Sequence, residues 1–163
     1  MKTVKPQTIR RLPQTRSGWQ EDCGDQSEDH QFVAMLDGYR PSGGLAACPE
    51  LLGLCRRHCG ADGTILARWI VERAVVSFEW QSQTWFPLFQ FRATNFTPSA
   101  RLRPLLAQLS ENYNPWSAAH WFVIPNPRLG GRVPVSLLDT DLGAVLAAAQ
   151  PTALPGEMRC AMN

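Results

Sequence analysis

Apolar positions change their spacing several times along the chain, and each change marks an element. Phe32, Val33, Met35, Leu36 and Tyr39 recur at helical intervals, giving a short helix that Gly38 weakens and Pro41 ends. Ser42-Gly43-Gly44 is a turn. Pro49 opens a helix running to Cys59, with Leu51, Leu52, Cys55 and Cys59 facing inward and Glu50, Arg56 and Arg57 outward, and Gly60 stops it. A Gly-bearing turn then leads into a helix from Thr64 to about Arg73, which buries Ile65, Leu66, Trp69 and Ile70. Residues 75–80 and 85–91 are rich in β-branched and aromatic side chains with a turn at 81–84, the pattern of a hairpin. Pro87 should place its strand at an edge.

After a loop at 92–97, Pro104 starts a helix to about Glu111 with Leu105, Leu106 and Leu109 inward. Residues 114–150 are the most densely punctuated part of the chain. Asn114 can cap a helix whose first position is Pro115, and Pro125 and Pro127 around Asn126 end it. Leu129-Gly130-Gly131 reverses the chain, and Pro134 opens a short helix carrying Leu137 and Leu138. Asp139 or Thr140 can cap a last helix, 141–149, with Leu142, Val145, Leu146 and Ala149 on one face. The expected fold is mostly α with a small β-hairpin. Residues 31–97 read as a helix-turn-helix-like unit with a wing and 98–150 as a small C-terminal helical domain; residues 1–30 read as a charged, disordered tail and 151–163 as a flexible one.

Charge and composition narrow the function. Between Arg40 and Arg73, five bases (Arg40, Arg56, Arg57, Arg68, Arg73) stand against three acids (Glu50, Asp62, Glu72). If the second helix of the pair read DNA, Thr64 and Arg68 would be its contacts, while Glu72 repels phosphate. Lys2, Lys5, Arg10, Arg11 and Arg16 make residues 1–16 a basic arm, and residues 21–29 carry only acids. Apolar residues reach 44% and charged ones only 18%, ample for a core, yet no apolar run approaches the roughly 20 residues of a membrane span. With no secretory stretch, a cytoplasmic protein is expected. Cys48, Cys55 and Cys59 fall on one helical face, as buried small side chains do, and no second ligand pair stands at zinc spacing. The histidines His30, His58 and His120 are scattered, with no nucleophile motif beside them. Gly130-Gly131 follows a helix and a proline turn rather than a strand, so it is no phosphate loop. No catalytic residue, cofactor or metal is expected; the class is an interaction protein.

The run Trp121-Phe122-Val123-Ile124-Pro125-Asn126-Pro127-Arg128-Leu129-Gly130-Gly131-Arg132-Val133-Pro134, with Ser136-Leu137-Leu138 and Val145 after it, resembles the C-terminal toxin-binding domain of the Xre/MbcA/ParS-type antitoxins. The shared pattern is an aromatic residue ending a helix, a Pro-Asn stretch, Leu-Gly-Gly-Arg, a proline and a Leu-Leu pair. That resemblance implies a non-enzymatic antitoxin that caps a partner, commonly a RES-type NAD-consuming toxin, and an N-terminal part that binds operator DNA. It implies a toxin-binding set of Asn126, Arg128, Leu129, Gly130, Gly131, Arg132, Pro134, Leu138 and Val145. Antitoxins of this type often form a homodimer, and the hairpin at 78–91 offers an edge for one. The front half departs from the pattern in lacking the usual Xre-type repressor signature. A DNA-binding regulator without a toxin partner is the alternative class.

Overall fold

The computed structural model describes residues 22–151, with side chains from residue 27 onward. The basic arm at 1–16 and the tail at 152–163 lie outside the described residues. Helix α1, Asp22–Tyr39, runs through a 3₁₀ turn into the short strand β1, Leu45–Ala47, and directly on into α2, Cys48–Cys59. Helix α3, Gly63–Val71, precedes the hairpin of β2, Phe78–Trp80, and β3, Gln83–Pro87. Then come α4, Arg103–Asn112, α5, Pro115–Trp121, two 3₁₀ turns, Pro127–Leu129 and Pro134–Leu137, and α6, Leu142–Ala149. The three strands form one antiparallel sheet in the order β1-β3-β2. Among the described residues no helix is long and apolar enough to cross a membrane.

Capping chemistry sets most helix starts. Asn114 Oδ1 accepts from Ser117 N–H at 2.7 Å, ahead of Pro115. Asp62 Oδ1 accepts from Thr64 and Ile65 N–H, both at 3.0 Å. Glu50 accepts from Ala47 N–H at 3.2 Å, and Gly60 ends α2 at φ 68°. Helix α6 is capped by Asp141, which accepts from Ala144 N–H, rather than by the expected Asp139 or Thr140.

Several expectations change. The first helix begins at Asp22, so residues 22–30, expected in the tail, are helical. Asp29 and Gln31 hold it down by accepting from the indole N–H groups of Trp80, at 3.0 Å, and Trp116, at 2.9 Å. The hairpin turn is two residues, Gln81-Ser82, both at positive φ, rather than four. Strand β1 was not foreseen, and its pairing with β3 makes the Pro87 strand central, not an edge. Pro87 is tolerated there because it is the last strand residue, and the next ladder bond runs from Leu88 N–H to Gly44 carbonyl.

Two apolar clusters fill the interior. The smaller joins Ala46, Leu51, Cys55, Leu66, Val75, Phe86 and Phe91 under α2, α3 and β3. The larger gathers Phe32, Met35 and Tyr39 of α1 with Phe78, then Leu105, Leu106 and Leu109 of α4, Ala119 and Phe122 of the α5 region, and Val145 of α6. Residues from both sides of position 97 therefore meet in one cluster. The buried face of α1 packs on the hairpin and the C-terminal helices. Tyr39 Oη, fully buried, donates to the Ala119 carbonyl at 2.5 Å, and Phe32 stacks on Trp80 with centroids 3.7 Å apart. Buried Gln90 binds Val76 like a strand partner: its Oε1 accepts from Val76 N–H at 2.6 Å and its Nε2 donates to Val76 carbonyl at 2.8 Å.

Candidate interaction surface

The corner between α5 and α6 is built by backbone chemistry. Trp121 and Phe122 are buried at the end of α5, with their rings edge to face, and anchor the turn that follows. Asn126 closes the loop on itself: its N–H donates to Arg132 carbonyl at 3.0 Å, and its carbonyl accepts from Gly131 N–H at 2.9 Å. Its side chain accepts from Arg128 N–H at 2.9 Å, starting the 3₁₀ turn that buries Leu129. Gly130 and Gly131 then stand at φ 65° and 77°, two successive left-handed residues. A Cβ on either would meet nothing within 4 Å, so backbone conformation alone requires glycine there. Past the turn, Val135 N–H donates to Phe122 carbonyl at 2.9 Å and pins the second 3₁₀ turn against the first helix.

The resemblance-derived set divides by burial. Leu129, Pro134, Leu138 and Val145 are buried and can only shape the surface from beneath. Arg128, Gly130, Gly131 and Arg132 are exposed, with Asn126 half-buried between them. Ile124, 39% exposed beside the same loop, joins them; in the sequence, Pro125 after it signals only a helix stop. Arg128 is tied down, donating from Nη1 to the Ala148 carbonyl at 3.0 Å and the Gln150 carbonyl at 2.5 Å, where a cation suits a helix C-terminus. Arg132 makes one local bond, Nε to the Leu129 carbonyl at 3.2 Å, and is the cation more available to a partner. No acid occurs from Asn112 to Leu138; Asp139 and Asp141 follow just before α6.

Thr64 and Arg68 lie elsewhere, exposed on α3. Arg68 Nε is 4.0 Å from Glu72 Oε1, and Glu72 is also 3.9 Å from Arg103. Among the described residues no three of His, Cys, Asp and Glu gather as a metal site. Cys59 donates to Cys55 carbonyl, and burial, with Cys59 beside it, pushes the Cys55 thiol up to about 11, so it stays protonated at neutral pH.

No curated protein and no solved structure matches the chain. One segment does carry a family match, and it is the one that builds this corner. From the residue before the Asn114 cap into α6, residues 113–146 match the family model of the antitoxin Xre/MbcA/ParS C-terminal toxin-binding domain.

Proposed function

We propose that the protein is a non-enzymatic antitoxin that binds and blocks a RES-type, NAD-consuming toxin. The observation carrying this reading is the coincidence of the matched segment with an exposed corner whose form is set by Asn126, Gly130 and Gly131 and which presents Arg128 and Arg132. In this reading Arg128, Gly130, Gly131 and Arg132 meet the toxin, while Leu129, Pro134, Leu138 and Val145 hold their positions from below. The test is co-expression of the full chain with a RES-type toxin encoded beside it, followed by co-purification and assay of NAD consumption. Wild type should co-purify and suppress the activity. Arg132→Glu should weaken both by about tenfold or more, the scale of one lost charged contact. Unaltered capture and inhibition by that variant would overturn the site assignment.

One observation favours a second role, operator binding and autorepression. What supports it is the element order, α1-β1-α2-α3-β2-β3 with strands arranged β1-β3-β2, which is similar to the order in winged-helix domains; in this reading α3 takes the place of the DNA-reading helix. Thr64 and Arg68 would be the contacts, or the whole function in a regulator with no toxin partner. Retardation of the chain's own upstream DNA, weakening steeply with salt and on Arg68→Ala, would support this role; no retardation at low salt would remove it.

A further inference from the structure

Where the two apolar clusters meet, the chain leaves an open seam. Phe89 packs against the larger cluster, stacked on Tyr39 and with its ring 4.8 Å from that of Phe122. Phe91 belongs to the smaller one and is stacked on Phe96 at 5.2 Å. Both phenylalanines line two adjoining hollows of about 460 and 430 Å³, which also share Ala93, Arg101 and Asp139. The first has Arg92 and Ser99 in its wall. The second runs past Phe96 and Leu102 to Val135 and Leu138. A concave space of this size, walled by rings with a few polar groups at its edge, has the form of a small-molecule site.

Charge along the seam is uneven. Arg92 and Arg101 are both exposed, and among the described residues lining the two hollows Asp139 is the one acid. Arg101 pairs with Asp139, whose side chain is 89% exposed, and among the described residues Arg92 forms no ion pair. Helix α6 does not hold Asp139 in place either, since Asp141 is its cap. An ion pair so open to water is weak, and an anion with further contacts can take the place of the aspartate on the guanidinium. Guanidinium groups bind carboxylates through a planar fork of N–H donors, and phenylalanine offers a face or edge to another flat ring. The groove beside α3 is of a different kind. Its two adjoining hollows, about 330 and 490 Å³, share Ile70, Ser77 and Pro115 and have one base, Arg73, and one acid, Glu79, in their walls.

We propose that the seam binds a flat aromatic carboxylate. The ring lies against Phe89, and the carboxylate accepts from Arg101, which turns from Asp139 to meet it, with Arg92 as the second cation. The site shares Leu138 with the corner at 126–138 but does not depend on the antitoxin reading.

Calorimetric titration of the full chain with cinnamate tests it, with cinnamamide as the uncharged analogue and acetate as the ringless one. Cinnamate should bind saturably, with a dissociation constant of about 1 mM or below. Cinnamamide should bind about tenfold more weakly or worse, the scale of a lost charge-assisted bond, and acetate should give no measurable heat. Arg92→Gln and Arg101→Gln should each weaken cinnamate severalfold. Asp139→Asn should tighten it severalfold by removing the competitor for Arg101, a change of sign that damage to the fold would not produce. All three side chains are exposed, so circular dichroism should show an unchanged fold. Amide shifts on titration, read by nuclear magnetic resonance, should centre on residues 89–101 and 138–139. Absence of saturable binding would overturn the proposal, as would cinnamamide or acetate binding as well as cinnamate. So would an Asp139→Asn variant that binds no more tightly than wild type, or shifts centred on Ile70 and Tyr113 at the groove.

Discussion

The corner at 126–138 and the groove beside α3 are made in opposite ways. The corner comes from consecutive residues, and its form follows from Asn126 closing a loop over two left-handed glycines. The groove comes from α3, β2, α4 and α5, which are scattered over nearly fifty residues of chain, and no one residue gives it shape. Charge separates them as well. The corner carries Arg128 and Arg132 with no acid between Asn112 and Leu138, whereas the groove has both Arg73 and Glu79 in its walls. A surface written in backbone conformation is sensitive to single turn residues; one assembled from packed elements is sensitive to whatever holds the elements together.

The sharpest way to break the contrast is to remove what both regions stand on. Phe122 is fully buried in the larger cluster, against Phe89 and Trp121. Phe122→Ala should cost about 3–5 kcal/mol and weaken both surfaces together in urea unfolding. A groove that stays folded while the corner melts would show them to be separable. Next is Gln90→Leu, which strands the buried N–H and carbonyl of Val76, a residue lining the groove. The loss should be roughly 2–3 kcal/mol, with faster amide exchange around residues 75–78 before any change at the corner. Smallest is Gly131→Val. It places a branched side chain at φ 77° with open space around it, costing roughly 1–2 kcal/mol of backbone strain. Toxin capture should fall with that variant while the groove stays folded; capture at the wild-type level would remove the turn from the toxin contact.

The corner was legible because its determinants are residue types with few alternative uses. Asn before Pro caps a helix, Gly-Gly turns the chain left-handed, and Pro134 opens a turn, all of which hold in the structure. The three leucines of α4 follow from periodicity in the same way. Burial within the corner was harder to read, because Leu129 and Leu138 sit among exposed neighbours and only the folded loop decides which face is covered. Strand β1 was invisible for a plainer reason: Leu45, Ala46 and Ala47 include no β-branched residue, and they are extended because β3 is there to pair with them. The start of α1 was hidden by its acids, which describe a solvated tail equally well until Asp29 and Gln31 are seen to hold two indoles. The groove had no local signature, since Ile70 reads as a core residue of its helix and the fold leaves it 38% exposed.

The bond from Tyr39 to Ala119 spans 80 positions. On the ribosome those residues emerge over roughly 4–16 s, at about 5–20 residues per second. Throughout that interval Phe32, Met35 and Tyr39 are outside the exit tunnel and the α5 residues they pack on are not. Helix α1 is thus the segment for which nascent-chain chaperones should compete, and its release should coincide with the emergence of α5.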